Sequence, residues 1–144
     1  MHIVKLATLA LVSAVGAASP AFAADAGSLV GSWQTPAKHG VVQIERCGAS
    51  ICGKLANSAN IQKNPDLKDV NNKDAAKRDR RLKGLQILGG FKHEKGQWTG
   101  GTIYNPEDGG TYKATITPAG ADTLKLKGCI VWPLCKTQTW TRIK

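Results

Sequence analysis

Thr111-Tyr112-Lys113-Ala114-Thr115-Ile116-Thr117 decides the fold class. In an extended chain Tyr112, Ala114 and Ile116 point one way and Thr111, Lys113, Thr115 and Thr117 the other. This period of two marks a strand with one face buried and one wet. Pro118-Ala119-Gly120 ends it, and Thr123–Cys129 repeats the pattern with Leu124 and Leu126 opposing Lys125 and Lys127. Working outward, further strands are expected at Gln97–Tyr104, Gly84–Lys92, Ile51–Ala56, Val41–Cys47, Gly31–Thr35 and Lys136–Ile143. Eight sequential antiparallel strands are the count at which a meander closes into a small barrel and loses its edges. The expected fold is all-β, an eight-stranded antiparallel up-and-down barrel, with a β-sandwich as the rival.

One polar stretch, 57–84, interrupts the series between the third and fourth strands. Asn72 is expected to cap a short helix in it, running to Leu82 and ended by Gly84. Loops of this length in a compact domain are usually functional or disordered, and this one is expected to lie over or beside a barrel mouth.

The 144 residues hold one domain, with 20 Lys+Arg against 10 Asp+Glu. Residues 1–23 read as a cleavable export signal: Lys5, an apolar run over Leu6–Ala18, and the small-x-small site Ala21-Phe22-Ala23. Cleavage leaves 24–144 as a single domain with 19 basic residues against 10 acids, or +9. No second apolar run is long enough for a membrane helix. The expected location is the periplasm or the exterior of a bacterium. Anionic envelope components become plausible neighbours there.

Cys47, Cys52, Cys129 and Cys135 allow three disulfide pairings. Cys47–Cys52 and Cys129–Cys135 are favoured, because each pair brackets an expected hairpin turn, across which facing cysteines can reach the needed Cα separation of about 5.5 Å. A four-cysteine zinc site is the alternative, against which the x4 and x5 spacings speak.

Gly31-Ser32-Trp33 on the first strand, with Arg142 on the last, resembles the lipocalin and wider calycin signature. The resemblance implies that Trp33 closes one barrel end and Arg142 packs across its ring. The stretches CGASICG (47–53), DVNN (69–72), GLQIL (84–88), GGTIYNPEDGGTY (100–112), LKLKGC (124–129) and CKTQTWTR (135–142) resemble the bacterial family called domain of unknown function 2147. That resemblance implies an exported, lipocalin-like barrel and assigns no reaction. The chain departs from the family at 72–76 (NKDAA), where a proline-rich segment is expected.

Catalytic constellations are not apparent. His39 and His93 are 54 positions apart, Glu107-Asp108 reads as turn chemistry, and Asp66, Asp69, Asp74 and Asp79 read as a solvated mixture with the neighbouring lysines. No cofactor is expected. Candidate ligand or anion contacts are Lys77, Arg78, Arg80, Arg81 and Lys83 in the insertion, together with Trp98, Tyr104 and the loop residue Trp132. Leu85 and Ile87 are expected to face the interior. Nucleic acid is not an expected partner, since no aromatic-interleaved binding motif occurs. The leading expectation is a non-enzymatic barrel for a small lipophilic ligand or an anionic envelope component. The alternatives are a protein-binding or inhibitor module acting through the Cys129–Cys135 loop, and an envelope accessory enzyme.

Overall fold

The structure, a computed structural model, describes residue 16 and residues 27–144. Apart from Gly16, the expected leader 1–23 lies outside the described residues. Nine strand segments follow one another: β1 (Gly31–Gln34), β2 (Val41–Cys47), β3 (Ser50–Asn57), β4 (Gln86–Gly89), β5 (Lys92–Glu94), β6 (Gln97–Asn105), β7 (Gly110–Pro118), β8 (Thr123–Cys129) and β9 (Cys135–Arg142). The order β4-β3-β2-β1-β9-β8-β7-β6-β5 closes on itself through a β4–β6 pairing. β4 and β5 both pair antiparallel with β6, through Leu88↔Ile103 and through Lys92↔Thr99. They are two halves of one stave, so the barrel is closed, antiparallel and eight-stranded.

The expected continuous strand Gly84–Lys92 is therefore broken, at Gly90-Phe91. Gly90 takes a left-handed φ of 78°, which turns the chain and drives Phe91 into the core. The Phe91 ring lies where a side chain at Gly101 would begin, so only glycine fits at 101.

Strand register sorts the faces. Trp33, Val42, Leu55, Leu88, Ile103, Tyr112, Ala114, Ile116, Leu124, Leu126 and Trp140 fall on the inward face. One end of the lumen is packed solid by Trp33, Ile44, Ile51, Phe91, Trp98 and Ile116, all buried. Arg142 caps this closed end, its guanidinium 4.3 Å from the Trp33 ring centre. The guanidinium also donates to the carbonyls of Val30 (2.9 Å), Ala121 (2.9 Å) and Ser28. The Trp33 indole N–H in turn donates to the Leu29 carbonyl at 2.8 Å.

Two expectations need correction. Trp98 and Tyr104 have the same strand parity in the sequence, from which a shared face is expected. They do not share one, because β6 bulges between Trp98 and Gly101: Trp98 pairs with Ile116, but Gly101 pairs with Ala114. The extra residue swaps the faces, so Tyr104 lies opposite Thr111 on the outer side. Secondly, the expected helix from Asn72 to Leu82 is only a 3-10 turn at Ala75–Lys77, capped by the Asp74 side chain. The chain then runs back extended, with Asp69 N–H bonded to Arg80 O and Leu82 N–H to Leu67 O. That pairing competes successfully with helix continuation. The α-helix of the insertion lies earlier, as α1 (Ala59–Lys63), where the Ser58 hydroxyl accepts from the Ile61 N–H at 3.2 Å. Among the described residues no helix is long and apolar enough to cross a membrane.

Candidate functional site

Strand direction places the β1–β2 loop, the insertion, the β6–β7 turn and the β8–β9 loop together at one end of the barrel. Between them opens a cup of about 940 Å³. Its wall is apolar, with Val42, Leu55, Ile103, Leu126 and Trp140 among the lining residues. Its rim is polar and carries Lys38, Asn60, Lys68, Asp108 and Lys136. The lumen is thus half filled and half open. The volume lies within the roughly 300–1,000 Å³ typical of small-molecule sites.

Several of the polar groups around the cup are committed to one another. Trp140 donates its indole N–H to Gln138 Oε1 at 3.0 Å. Tyr112 donates to Asp108 Oδ2 at 2.5 Å, and Lys38 pairs with Glu107 at 2.6 Å. Burial opposes ionisation of Asp108, but hydrogen bonds from Tyr112, the Gly110 N–H and Asn105, with the Lys73 charge, outweigh it and lower its pKa.

The insertion is fastened at the rim to the outer face of β6. Asp69 is completely buried and accepts from Tyr104 (2.5 Å), Asn72 (2.8 Å) and Arg80 Nε (3.0 Å). Burial opposes its ionisation, yet these three donors and the Arg80 charge hold its pKa below the ordinary carboxylate value. Burial and the neighbouring Asp69 carboxylate push the Tyr104 phenol up to about 12. A second clasp joins the insertion to the β6–β7 turn: Asn71 Nδ2 donates to the carbonyls of Pro106 (3.1 Å) and Glu107 (3.2 Å). Gly109, with φ 69°, lies so close under the Asn71 carbonyl that a Cβ would collide with it.

The cluster Lys77, Arg78, Arg80, Arg81 and Lys83 is exposed, as expected. Much of its charge is answered locally, by Lys77–Asp74, Arg80–Asp69 and Arg81–Asp66 pairs, while Arg78 Nε donates to the Asn72 carbonyl. None of the five lines the cup. Lys77 and Arg80 border instead a polar recess of about 600 Å³ on the outer face, with Asn72, Thr102 and Thr111.

Of the aromatic candidates only Tyr104 borders the cup. Trp98 lies in the closed half, its ring centre 5.0 Å from that of His93. Trp132 stands outside on the β8–β9 loop, 76% exposed. Leu85 and Ile87 pack against the core, and Ile87 lines the cup. Sequence reasoning missed Asp69 and Asn72 because it read the insertion's acids as solvated. Their one signal was the stretch DVNN at 69–72. Both favoured disulfides form, Cys47–Cys52 at the closed end and Cys129–Cys135 at the mouth. Among the described residues no group of three or more His, Cys, Asp or Glu is disposed to hold a metal ion.

An eight-stranded meander plugged at one end by a tryptophan–arginine pair and open to an apolar cup at the other is a lipocalin-like barrel. The chain belongs to the bacterial family described as "Uncharacterized protein conserved in bacteria (DUF2147)", which it matches over residues 31–142. Its fold is also similar to the solved structure of protein HP1028 from the human pathogen Helicobacter pylori, described as belonging to the lipocalin family. That similarity has a TM-score of 0.72 and 25% identity, and covers 81% of this chain and 83% of the other. No curated protein matches the chain.

Proposed function

We propose that this protein is an exported, non-enzymatic barrel that binds a small amphipathic molecule in its cup. The observation that carries this reading is the cup itself: an apolar wall of Val42, Leu55, Ile103, Leu126 and Trp140 beneath a charged rim. A hydrocarbon or ring portion of the ligand would displace water from the wall, gaining roughly 25 cal/mol for each Å² of apolar surface buried. Its polar end would meet Lys136 at the rim, where an acidic head group could also compete with Glu107 for Lys38 and with Asp79 for Lys68. Export is supported by the leader-like residues 1–23 and by two disulfides, which persist in oxidising compartments. Against catalysis by the cluster of Asp69, Tyr104, Asn72 and Arg80 stands the mutual satisfaction of these groups, each hydrogen-bonded to another.

Gly128 supplies the test. It lines the cup with ordinary backbone angles, and a Cβ there meets only Ile103 Cγ2 at 3.7 Å and Tyr112 Cβ at 4.0 Å. Gly128→Leu should fill the cup without straining the strand. Titration with the fluorescent fatty acid cis-parinaric acid should show saturable binding to the wild type, weakened about tenfold or more by Gly128→Leu, the loss of about 1.4 kcal/mol. No binding to the wild type, or equal binding by both, would defeat this reading. The alternative, a protein-binding or inhibitor module, has the exposed Trp132 in its favour. The same loop, however, supplies Ile130, Pro133 and Leu134 to the rim of the cup.

A further inference from the structure

The exposed apolar residues are concentrated at the mouth. Seven large hydrophobic side chains are exposed among the described residues, and the five most exposed are Val70 (62%), Ile130 (69%), Val131 (61%), Trp132 (76%) and Leu134 (64%). Val70 comes from the insertion and the other four from the loop closed by Cys129–Cys135. Single exposed apolar residues need no explanation, but four in a five-residue loop held by a disulfide do. Burial inside the barrel is closed to Val131 and Trp132, which do not line the cup.

Charge on the strands that carry this loop is mostly of one sign, while Glu107 and Asp108 of the β6–β7 turn share the rim with it. Between 110 and 144 the basic residues are Lys113, Lys125, Lys127, Lys136, Arg142 and Lys144, and the single acid is Asp122. Asp122 sits at the closed end, where it faces Lys144 (3.1 Å) and Arg142 (3.8 Å). Near the mouth, Lys113 pairs in register with Cys129, Lys136 with Gly128, and Lys127 places its ammonium 4.6 Å from the Trp132 ring centre. An apolar tip thus rises from a collar of lysines.

We propose that the Cys129–Cys135 loop docks the mouth of the barrel onto a bilayer surface bearing anionic lipid head groups. Trp132, Val131, Ile130 and Leu134 would enter the head-group and upper acyl region while Lys113, Lys127 and Lys136 stay at phosphate level. Tryptophan favours that interface because its ring is apolar and its N–H remains wet. Neither signal need be strong alone, since stable surface attachment comes from an apolar element and a basic one acting together. A protein partner or a second copy could also cover an apolar loop. The lysine collar and the opening of the cup at the same rim favour the membrane, because docking there lets an amphipathic molecule pass between bilayer and cup without crossing water. The docking itself does not require the cup to be occupied.

The experiment is co-sedimentation with phosphatidylcholine vesicles, with and without phosphatidylglycerol. It compares the wild type with a Val131→Ser/Trp132→Ser variant, whose two sites are exposed and outside the cup. The wild type should bind vesicles containing phosphatidylglycerol, the variant about tenfold more weakly. Wild-type binding should fall as salt shortens the screening length from about 10 Å at 0.1 M to 3 Å at 1 M. Lipid brominated in its acyl chains should quench the fluorescence of the bound wild type, Trp132 being the one exposed tryptophan among Trp33, Trp98, Trp132 and Trp140. Absence of wild-type binding, equal binding by the variant or unquenched fluorescence would each overturn the proposal. So would a wild-type dimer in light scattering that the variant abolishes, which would assign the loop to a second copy. Binding of cis-parinaric acid in vesicle-free buffer should be the same in the variant and the wild type, so failure of the docking and failure of the ligand reading give separate results.

Discussion

Tyr104 donates its hydroxyl to Asp69 Oδ1 at 2.5 Å, joining β6 to an insertion residue 35 positions earlier in the chain. This bond, with that from Asn72 Nδ2 to the Tyr104 hydroxyl at 3.1 Å, fixes the insertion against the barrel wall, while Asn72 and Arg80 hold the same carboxylate from within the insertion. Removing a hydrogen bond to a buried charged group costs about 1.5–3 kcal/mol. Tyr104→Phe should lower the unfolding free energy by that order in urea titration. Amide exchange should quicken at Asp69 and Leu82, whose N–H groups carry the internal pairing of the insertion, more than in β7 or β8. Uniform exchange in both regions would show that the bond does not hold the insertion in particular.

Titration of the same pair sets two pH limits. Asp69 ionises below its ordinary value of 3.8 in the folded protein, so its contribution is complete above that value and disappears as pH falls through the lower native one. Tyr104 behaves in the opposite sense. Its pKa rises from 10.0 to about 12, so its contribution is complete below pH 10 and disappears as pH climbs toward 12. Asp69→Asn should flatten the acid limb of a stability–pH profile, and Tyr104→Phe should remove part of the alkaline limb. Tyr112, also raised through its bond to Asp108, should supply a remaining part of the alkaline limb. An acid limb unchanged by Asp69→Asn would contradict this assignment.

Closure at the other end rests on Trp33 and Arg142. Trp33 is fully buried, and truncating such a ring costs about 3–5 kcal/mol. Trp33→Ala should therefore leave the protein marginal or unfolded at ordinary temperature. Arg142→Lys should also destabilise, although the charge is kept, because an ammonium cannot reach the three carbonyls that the guanidinium fork satisfies while lying across the indole. Thermal melts of both variants check this. An unchanged midpoint for Trp33→Ala would exclude ring closure as a source of stability.

The staves of the barrel were legible because alternation in segments such as 111–117 and 123–129 reports directly which face meets water. Both disulfides were legible from their bracketing of hairpin turns. The break at Gly90-Phe91 and the bulge after Trp98 were not, since a glycine within an apolar run does not reveal whether the strand continues. That one extra residue decides whether Tyr104 faces the lumen or the insertion. Asp69 was misread for a related reason: local composition gives eight basic residues and four acids over 57–84, and nothing local distinguishes the acid that folds inward. The cup itself depends on how far side chains from opposite staves reach, which no local pattern encodes.

The two disulfides offer a final comparison, because they close loops of nearly equal size at opposite ends of the barrel. Their sequence separations are 5 and 6, and each should contribute about 2 kcal/mol by restricting the unfolded chain. Paired Cys→Ser replacement at either site should therefore lower stability by a similar amount. The effects on surface binding should differ. Cys47–Cys52 joins β2 to β3 at the closed end, away from the apolar loop. Cys129–Cys135 holds Ile130, Val131, Trp132 and Leu134 in one exposed arrangement, and without it docking would bear the cost of ordering that loop. Cys129→Ser/Cys135→Ser should weaken sedimentation with vesicles containing phosphatidylglycerol, whereas Cys47→Ser/Cys52→Ser should not. Equal binding by the two variants, at matched fractions of folded protein, would show that the mouth disulfide serves stability alone.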